Sequence, residues 1–237
     1  MSRSDGRKND QLRPVNFEPD FVEYPEGSVL ISFGKTRVLC NVSIEENVPP
    51  WMDAPDSTRG WITAEYALLP RSTSTRVKRE TKGLSGRTQE IKRLIGRSLR
   101  AGFDLSKLGK RTMIVDCDVI QADGGTRTAA ITGGYISLRL AIQKLIKQDQ
   151  INEDVILSPV AAISVGLLAG KPILDLNYQE DSHAEADLNV VMNQMGEYIE
   201  VQGTGEGATF SRSDLDTMLD YAQAGIKKLI SLQADLY

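Results

Sequence analysis

Two adjacent glycines followed by Thr126 and Arg127, within Q-A-D-G-G-T-R-T at 121–128, could do chemistry through the backbone itself. The run before them, T-M-I-V-D-C-D-V-I at 112–120, is apolar and rich in β-branched residues, and reads as a buried strand. After them, Ile131, Tyr135, Leu138, Ile142 and Leu145 recur at helical spacing, which predicts an amphipathic helix starting at about Thr126. A strand that hands over to a helix through Gly124-Gly125 leaves free N–H groups at the positive end of the helix dipole. Glycine lets an anion approach the main chain, Thr126 adds a hydroxyl, and Arg127 adds a fork that suits phosphate oxygens. Gly125, Thr126 and Arg127 therefore read as a phosphate or sulfate cradle. Taken alone, the same residues describe an ordinary strand-to-helix corner with a surface arginine equally well.

A second set of reactive groups lies in E-D-S-H-A-E-A-D-L-N-V-V. Asp181 and Asp187 bracket a short segment, with Glu180 and Glu185 nearby. Clustered carboxylates hold hard metals such as Mg²⁺, which needs only one or two of them. One carboxylate can also serve as a general acid when a like-charged neighbour keeps it protonated. The bland alternative is an acidic surface turn. His183, the one histidine, is assigned no role. No G-x-x-x-x-G-K-[ST] occurs, which argues against a P-loop nucleotidase.

Charge is distributed unevenly. Residues 71–100 carry ten Lys or Arg against two acids, a net +8 in a chain of net −4. A basic block on an acidic protein reads as a polyanion footprint rather than a solubility device. Within it, R-S-T-S-T-R-V-K-R-E-T-K-G at 71–83 has one apolar residue and predicts an exposed, mobile loop whose Arg71, Arg76 and Arg79 suit nucleic-acid phosphates. Residues 84–103 turn helical, with Ile91, Leu94, Ile95 and Leu99 as the stripe and Arg93 and Arg97 off it, extending the basic footprint. Arg87, near the start of that helix, can add a second guanidinium to an anion site, or be a surface arginine.

These groups need a scaffold. A polar arm at 1–16 carries Arg3, Arg7, Lys8 and Arg13 and reads as ordered only through packing on something else. A hairpin follows at 27–44 around Gly34-Lys35, then a proline-containing loop at 45–60 and a strand at 61–69. Residues 160–168 and 173–178 flank Ala169-Gly170-Lys171-Pro172 as a second hairpin that echoes the first, a weak internal repeat. Residues 187–192 and 198–202 form a third, and 211–232 a terminal helix with Ser211 as N-cap and Leu215, Met218, Leu219, Ala222, Ile226 and Leu229 on its buried face. The expectation is an α/β (α+β) protein of two similar βα halves in a single domain over 1–237. Cys40 and Cys117 sit inside apolar runs as free thiols, no apolar run nears the ~20 residues of a membrane span, and no signal segment is visible, so the expected location is cytoplasmic.

Several longer stretches resemble the bacterial ribonuclease PH family: R-S-D-G-R-K-N-D-Q-L-R-P-V, E-G-S-V-L-I-S-F-G-K-T-R-V-L-C, G-W-I-T-A-E-Y-A-L-L-P-R-S-T, S-G-R-T-Q-E-I-K-R-L-I-G-R, D-C-D-V-I-Q-A-D-G-G-T-R-T, D-L-N-V-V-M and V-Q-G-T-G-E-G. The resemblance runs from about Arg3 to the terminal helix. It departs at Ser85 and Lys92, where the family commonly has Gly and Gln. It implies a ribonuclease PH-like fold and a phosphate-dependent 3′-to-5′ exoribonuclease that trims precursor tRNA, releases nucleoside diphosphates and runs in reverse. It also implies inorganic phosphate as co-substrate, a divalent metal such as Mg²⁺, and a homo-hexamer built as a trimer of dimers. Carried onto this chain, the phosphate site falls on Arg87, Gly125, Thr126 and Arg127. The catalytic and metal-binding pair falls on Asp181 and Asp187, with Asp181 the proton donor. Two other classes remain as alternatives: a non-catalytic RNA-binding ring subunit, and a small-molecule phosphate-transfer enzyme, which leaves the basic segment unexplained.

Overall fold

A computed structural model describes residues 3–237; Met1 and Ser2 of the arm lie outside the described residues. The first half contributes a five-stranded sheet in the order β1-β2-β3-β5-β4. Its strands are β1 (Val15–Pro19), β2 (Gly27–Phe33), β3 (Thr36–Glu45), β4 (Trp61–Leu68) and β5 (Thr112–Gln121). All neighbours are antiparallel except β4 and β5, which run parallel with helix α1 (Gly86–Arg100) between them in sequence. The second half contributes an antiparallel sheet in the order β7-β6-β8-β9, from β6 (Val160–Leu168), β7 (Lys171–Leu174), β8 (Ala186–Asn193) and β9 (Tyr198–Gly205). Helix α2 (Thr126–Lys147), the short α3 (Tyr178–Asp181) and the terminal α4 (Arg212–Gln233) complete the fold.

Burial patterns explain the layering. On β5, buried and half-exposed residues alternate, as on a sheet with one covered face. On β6 the first eight residues are all buried, because α2 packs on one face and α4 on the other. Helix α2 is therefore the central layer, against β2 and β3 on one side and β6 on the other. This corrects the expectation of an amphipathic helix: every residue from Thr128 to Leu138 is buried. Small residues make that possible. A Cβ on Gly133 would meet Ile31 at 2.7 Å and Cys40 at 3.0 Å.

The terminal helix starts with a capping box between Ser211 and Asp214 and buries Met218, Ala222, Ile226 and Leu229. Cys40 and Cys117 are free, buried and paired across β3 and β5.

The arm differs from the sequence expectation in what its charges do. Arg3, Arg7 and Arg13 are buried against the second half of the same chain. Arg3 donates to both carboxylate oxygens of Glu180 at 2.7 Å each, and Arg13 reaches Asp175 Oδ1 at 2.6 Å. Glu180 is thereby removed from the carboxylate cluster that its sequence position implies. The physical reason is bidentate geometry: a buried guanidinium is tolerated only where carboxylate oxygens and carbonyls satisfy its fork.

Candidate active site

Strand β5 ends at Gln121, and Gly124 and Gly125 turn the chain with φ of +76° and +66°, backbone that favours glycine. Gly124 has a second constraint: a Cβ there would meet Leu176 O at 2.5 Å. The turn is thus pressed against the backbone that leads into α3. Its carbonyls are held from the first half as well. Thr36 Oγ1 donates to Gly124 O at 2.7 Å, and Arg13 donates to Asp123 O at 2.6 Å. No side chain caps α2, so its first N–H groups stay available to an anion.

The side chains around this turn come from four elements. Thr126 Oγ1 shares a hydrogen bond of 2.8 Å with the hydroxyl of Tyr66 on β4. Arg127 donates to Gln202 Oε1 on β9 at 2.8 Å, and Gln202 donates to Glu90 Oε1 on α1 at 2.8 Å. Arg87 is the second residue of α1, exposed, behind an N-cap made by Ser85. Burial raises the Tyr66 hydroxyl above its ordinary pKa, and its hydrogen bond with Thr126 and the charges of Arg87 and Arg127 act the other way. Both guanidinium groups therefore lie close enough to the turn to be felt there.

Asp181 ends α3 and Asp187 is the second residue of β8, opposite Gly166 and Thr204. Both are half-buried. Burial raises the Asp181 carboxyl first, the charge of Glu206 adds to this, and Arg127, Arg87 and Arg13 oppose it. Burial likewise raises Asp187, helped by the charges of Asp181 and Glu206 and opposed by Arg127. The two acids and the two arginines thus share one electrostatic neighbourhood, although Arg87, Arg127, Asp181 and Asp187 lie on four different elements. A half-buried carboxyl with a raised pKa is suited to donate a proton.

The donor set also fits a divalent cation. Two desolvated carboxylates that repel each other are relieved by one, and Mg²⁺ asks for one or two carboxylates while keeping several waters. Among the described residues no group of three or more His, Cys, Asp or Glu could hold a metal. Glu185 instead accepts from Gly170 N at 3.2 Å.

The basic segment divides. Arg71, Arg76 and Arg79 are exposed in a stretch without regular structure at 71–83. None of them, nor Arg87, has a carboxylate partner within 4.0 Å among the described residues. Arg93 is exposed on α1, but Arg97 pairs with Glu200 at 2.9 Å and Lys92 pairs with Glu65. Sequence reasoning did not single out Thr36, Tyr66, Glu90, Gln202 or Glu206, and it named Arg13 only as part of the arm. Glu206 follows β9 in a glycine-rich stretch, which is a local signal; the others sit in ordinary strand, helix or arm contexts.

Two family models, 3′ exoribonuclease family domain 1 and domain 2, match residues 11–142 and 158–225. Ribonuclease PH of Bacillus subtilis is 56% identical over 237 residues, covering 99% of this chain and 96% of that protein. Ribonuclease PH of Crocosphaera subtropica is 56% identical over 231 residues, covering 98% and 95%. Among solved structures, the Archaeoglobus fulgidus exosome with RNA bound to the active site superposes with a TM-score of 0.80 at 23% identity, covering 98% of this chain and 92% of that one.

Proposed function

The chain belongs to the ribonuclease PH family and is a phosphorolytic 3′-to-5′ exoribonuclease that processes tRNA and also adds nucleotides in reverse, and we propose that Arg87, Arg127 and the turn at Gly125-Thr126 hold its phosphate against Asp181 and Asp187. One observation carries this: the glycine turn before Arg127 is pressed against the backbone at Leu176 to Tyr178, which leads directly into the short helix that ends at Asp181. In this reading the α2 amides and the two guanidinium groups place inorganic phosphate in line with the last phosphodiester. A phosphate oxygen attacks that phosphorus, and the bond to the 3′ oxygen of the preceding nucleotide breaks. Asp181 passes its proton to that oxygen, leaving RNA one nucleotide shorter and a nucleoside diphosphate. The arginines offset charge on the equatorial oxygens. Asp187, and Asp181 once it has given up its proton, would hold Mg²⁺, which would supply further charge neutralisation at the transferring group.

Arg71, Arg76 and Arg79 guide RNA through its backbone, with Arg93 and Arg97 extending the path along α1. The two matched segments act as one domain, because one cluster of buried residues runs through both sheets; a single cooperative unfolding transition is expected. A homo-hexamer built from three dimers belongs to the same reading. It is supported by fold likeness to a protein described as an archaeal exosome core, and light scattering tests it. Cytoplasmic location is supported by two buried free thiols, which suit a reducing compartment. Among the described residues no helix is long and apolar enough to cross a membrane.

The deciding experiment incubates RNA with and without phosphate. Nucleoside diphosphates that appear only with phosphate, and vanish in Arg87→Ala and Arg127→Ala, are the expected result. Nucleoside monophosphates would mean hydrolysis and overturn the mechanism.

A further inference from the structure

Helix α1 borders two clefts in succession. The first, of about 300 Å³, is lined by Gly86, Gln89, Glu90, Arg93, Arg97 and Gln202, and so begins at the residues that steer Arg127. The second, of about 650 Å³, includes Arg59, Trp61, Arg97, Arg100, Phe103 and Leu157. Arg97 lines both, so they adjoin at that residue along a helix that spans about 21 Å from Gly86 to Arg100.

The second cleft has chemistry that the reaction at the cradle does not use. Arg59 and Arg100 have no carboxylate partner within 4.0 Å among the described residues. Burial lowers Arg100 from its ordinary range, and the like charges of Arg97 and Arg59 add to it, as expected where guanidinium groups gather without an anion. Arg100 is held in place by stacking 4.3 Å over Trp61 and donating to Ile62 O at 2.9 Å. Trp51 meets Trp61 edge-on at 5.1 Å and is itself 69% exposed, with Leu157 60% exposed on the cleft wall. The acids nearby are engaged. Asp104 accepts from Ser106 N at 3.0 Å and Ser106 Oγ at 2.6 Å, and Glu200 pairs with Arg97 in an exposed bridge of the kind that exchanges readily.

We propose that this Arg59–Arg100–Trp61 cleft, with Trp51 at its rim, holds the RNA upstream of the 3′ end, the part that stays on the enzyme after each nucleotide leaves. The proposal rests on the exoribonuclease reading above. Guanidinium groups without a carboxylate partner take phosphodiesters, and the exposed Trp51 ring takes bases without sequence preference, the combination that single-stranded RNA requires. The first cleft adjoins it at Arg97 and gives the strand a path from the cradle.

Of the chain's two tryptophans, Trp61 lines this cleft and Trp51 packs against it at the rim, so intrinsic fluorescence reads its occupancy. Titrations are made on the intact protein without phosphate. An oligonucleotide of about three residues, too short to leave the first cleft, should not change the signal, whereas one of about ten should quench it. Inorganic phosphate and nucleoside diphosphate should leave it unchanged. Arg59→Ala should weaken the longer RNA by about tenfold and reduce its salt slope by about one, while phosphorolysis of the short oligonucleotide continues. Trp51→Ala should weaken the longer RNA severalfold with the slope unaltered. Equal affinity and slope in Arg59→Ala, or no quenching by the longer RNA, would overturn the proposal. A changed assembly mass in Arg59→Ala would overturn it too, in favour of a subunit contact. Failure of the exoribonuclease reading would look different: the unmodified protein would not cleave even the short oligonucleotide with phosphate.

Discussion

Two guanidinium–carboxylate sets meet at α3, and adjacent residues divide between them. Glu180 belongs to the arm's set, where Arg3 binds both of its oxygens and Asp175 receives Arg13, all within the protein interior. Asp181 belongs to the cradle's set, where Arg87 and Arg127 act on it from a distance and burial keeps its carboxyl raised. The first set is satisfied by geometry and serves the fold. The second is left incomplete, with uncapped α2 amides and an exposed Arg87, which is the condition of a site waiting for an anion. Tightly paired buried charges and half-buried ones whose only ion pair among the described residues is the long Arg127–Glu90 contact, at 3.8 Å, thus mark structural and chemical roles within a single turn of helix.

The sharpest way to break this contrast is Arg13→Ala. Among the described residues, removing the Arg13 guanidinium leaves buried Asp175 only Arg7, 3.6 Å away, as ion partner, and should cost up to about 3–5 kcal/mol in stability by denaturant melts. It also frees the carbonyls of the cradle turn, so the KM for phosphate should rise; Arg13→Lys should recover part of both. A phosphate KM unmoved in Arg13→Lys and Arg13→Ala alike would separate the arm from the cradle.

Arg127→Ala should show the opposite profile. A drop of about 10²–10³-fold in kcat/KM for phosphorolysis is expected with the melting temperature little changed. A large loss of stability would instead place Arg127 among the structural pairs.

Asp187→Asn tests the incomplete set through stability. Its carboxyl is raised in the folded protein, so the folded state binds that proton more tightly than the unfolded chain. Stability from this group is present at low pH and is lost as pH rises through the raised value. The substitution should therefore raise the melting temperature at neutral pH, and the gain should vanish below the ordinary carboxylate pKa of about 3.9. It should also weaken the Mg²⁺ requirement of any remaining activity. A lowered melting temperature at neutral pH would assign Asp187 to a satisfied pair.

The smallest effect is expected from Glu206→Gln. Glu206 raises both Asp181 and Asp187, so removing its charge lets Asp181 lose its proton at lower pH. The alkaline limb of the kcat profile should move to lower pH, and an unmoved limb would take Asp181 out of the donor role.

Local periodicity carried the elements of this protein: β5, the start of α2, the hairpin at Gly34, the cap at Ser211 and the stripe of α1 all follow from spacing, because each depends on neighbours within a few residues. The glycine turn and the two acids were legible for the same reason. Tertiary structure alone decided which charges were consumed. Nothing near Arg13 or Glu180 in the chain tells that they pair with Asp175 and Arg3, more than 160 residues away. Nor does it tell that Tyr66, Gln202 and Glu90 reach the cradle, since such contacts follow from how two sheets close on α2. Sequence names the groups able to react, but the free energy of burying a charge depends on partners that only the assembled fold brings within reach.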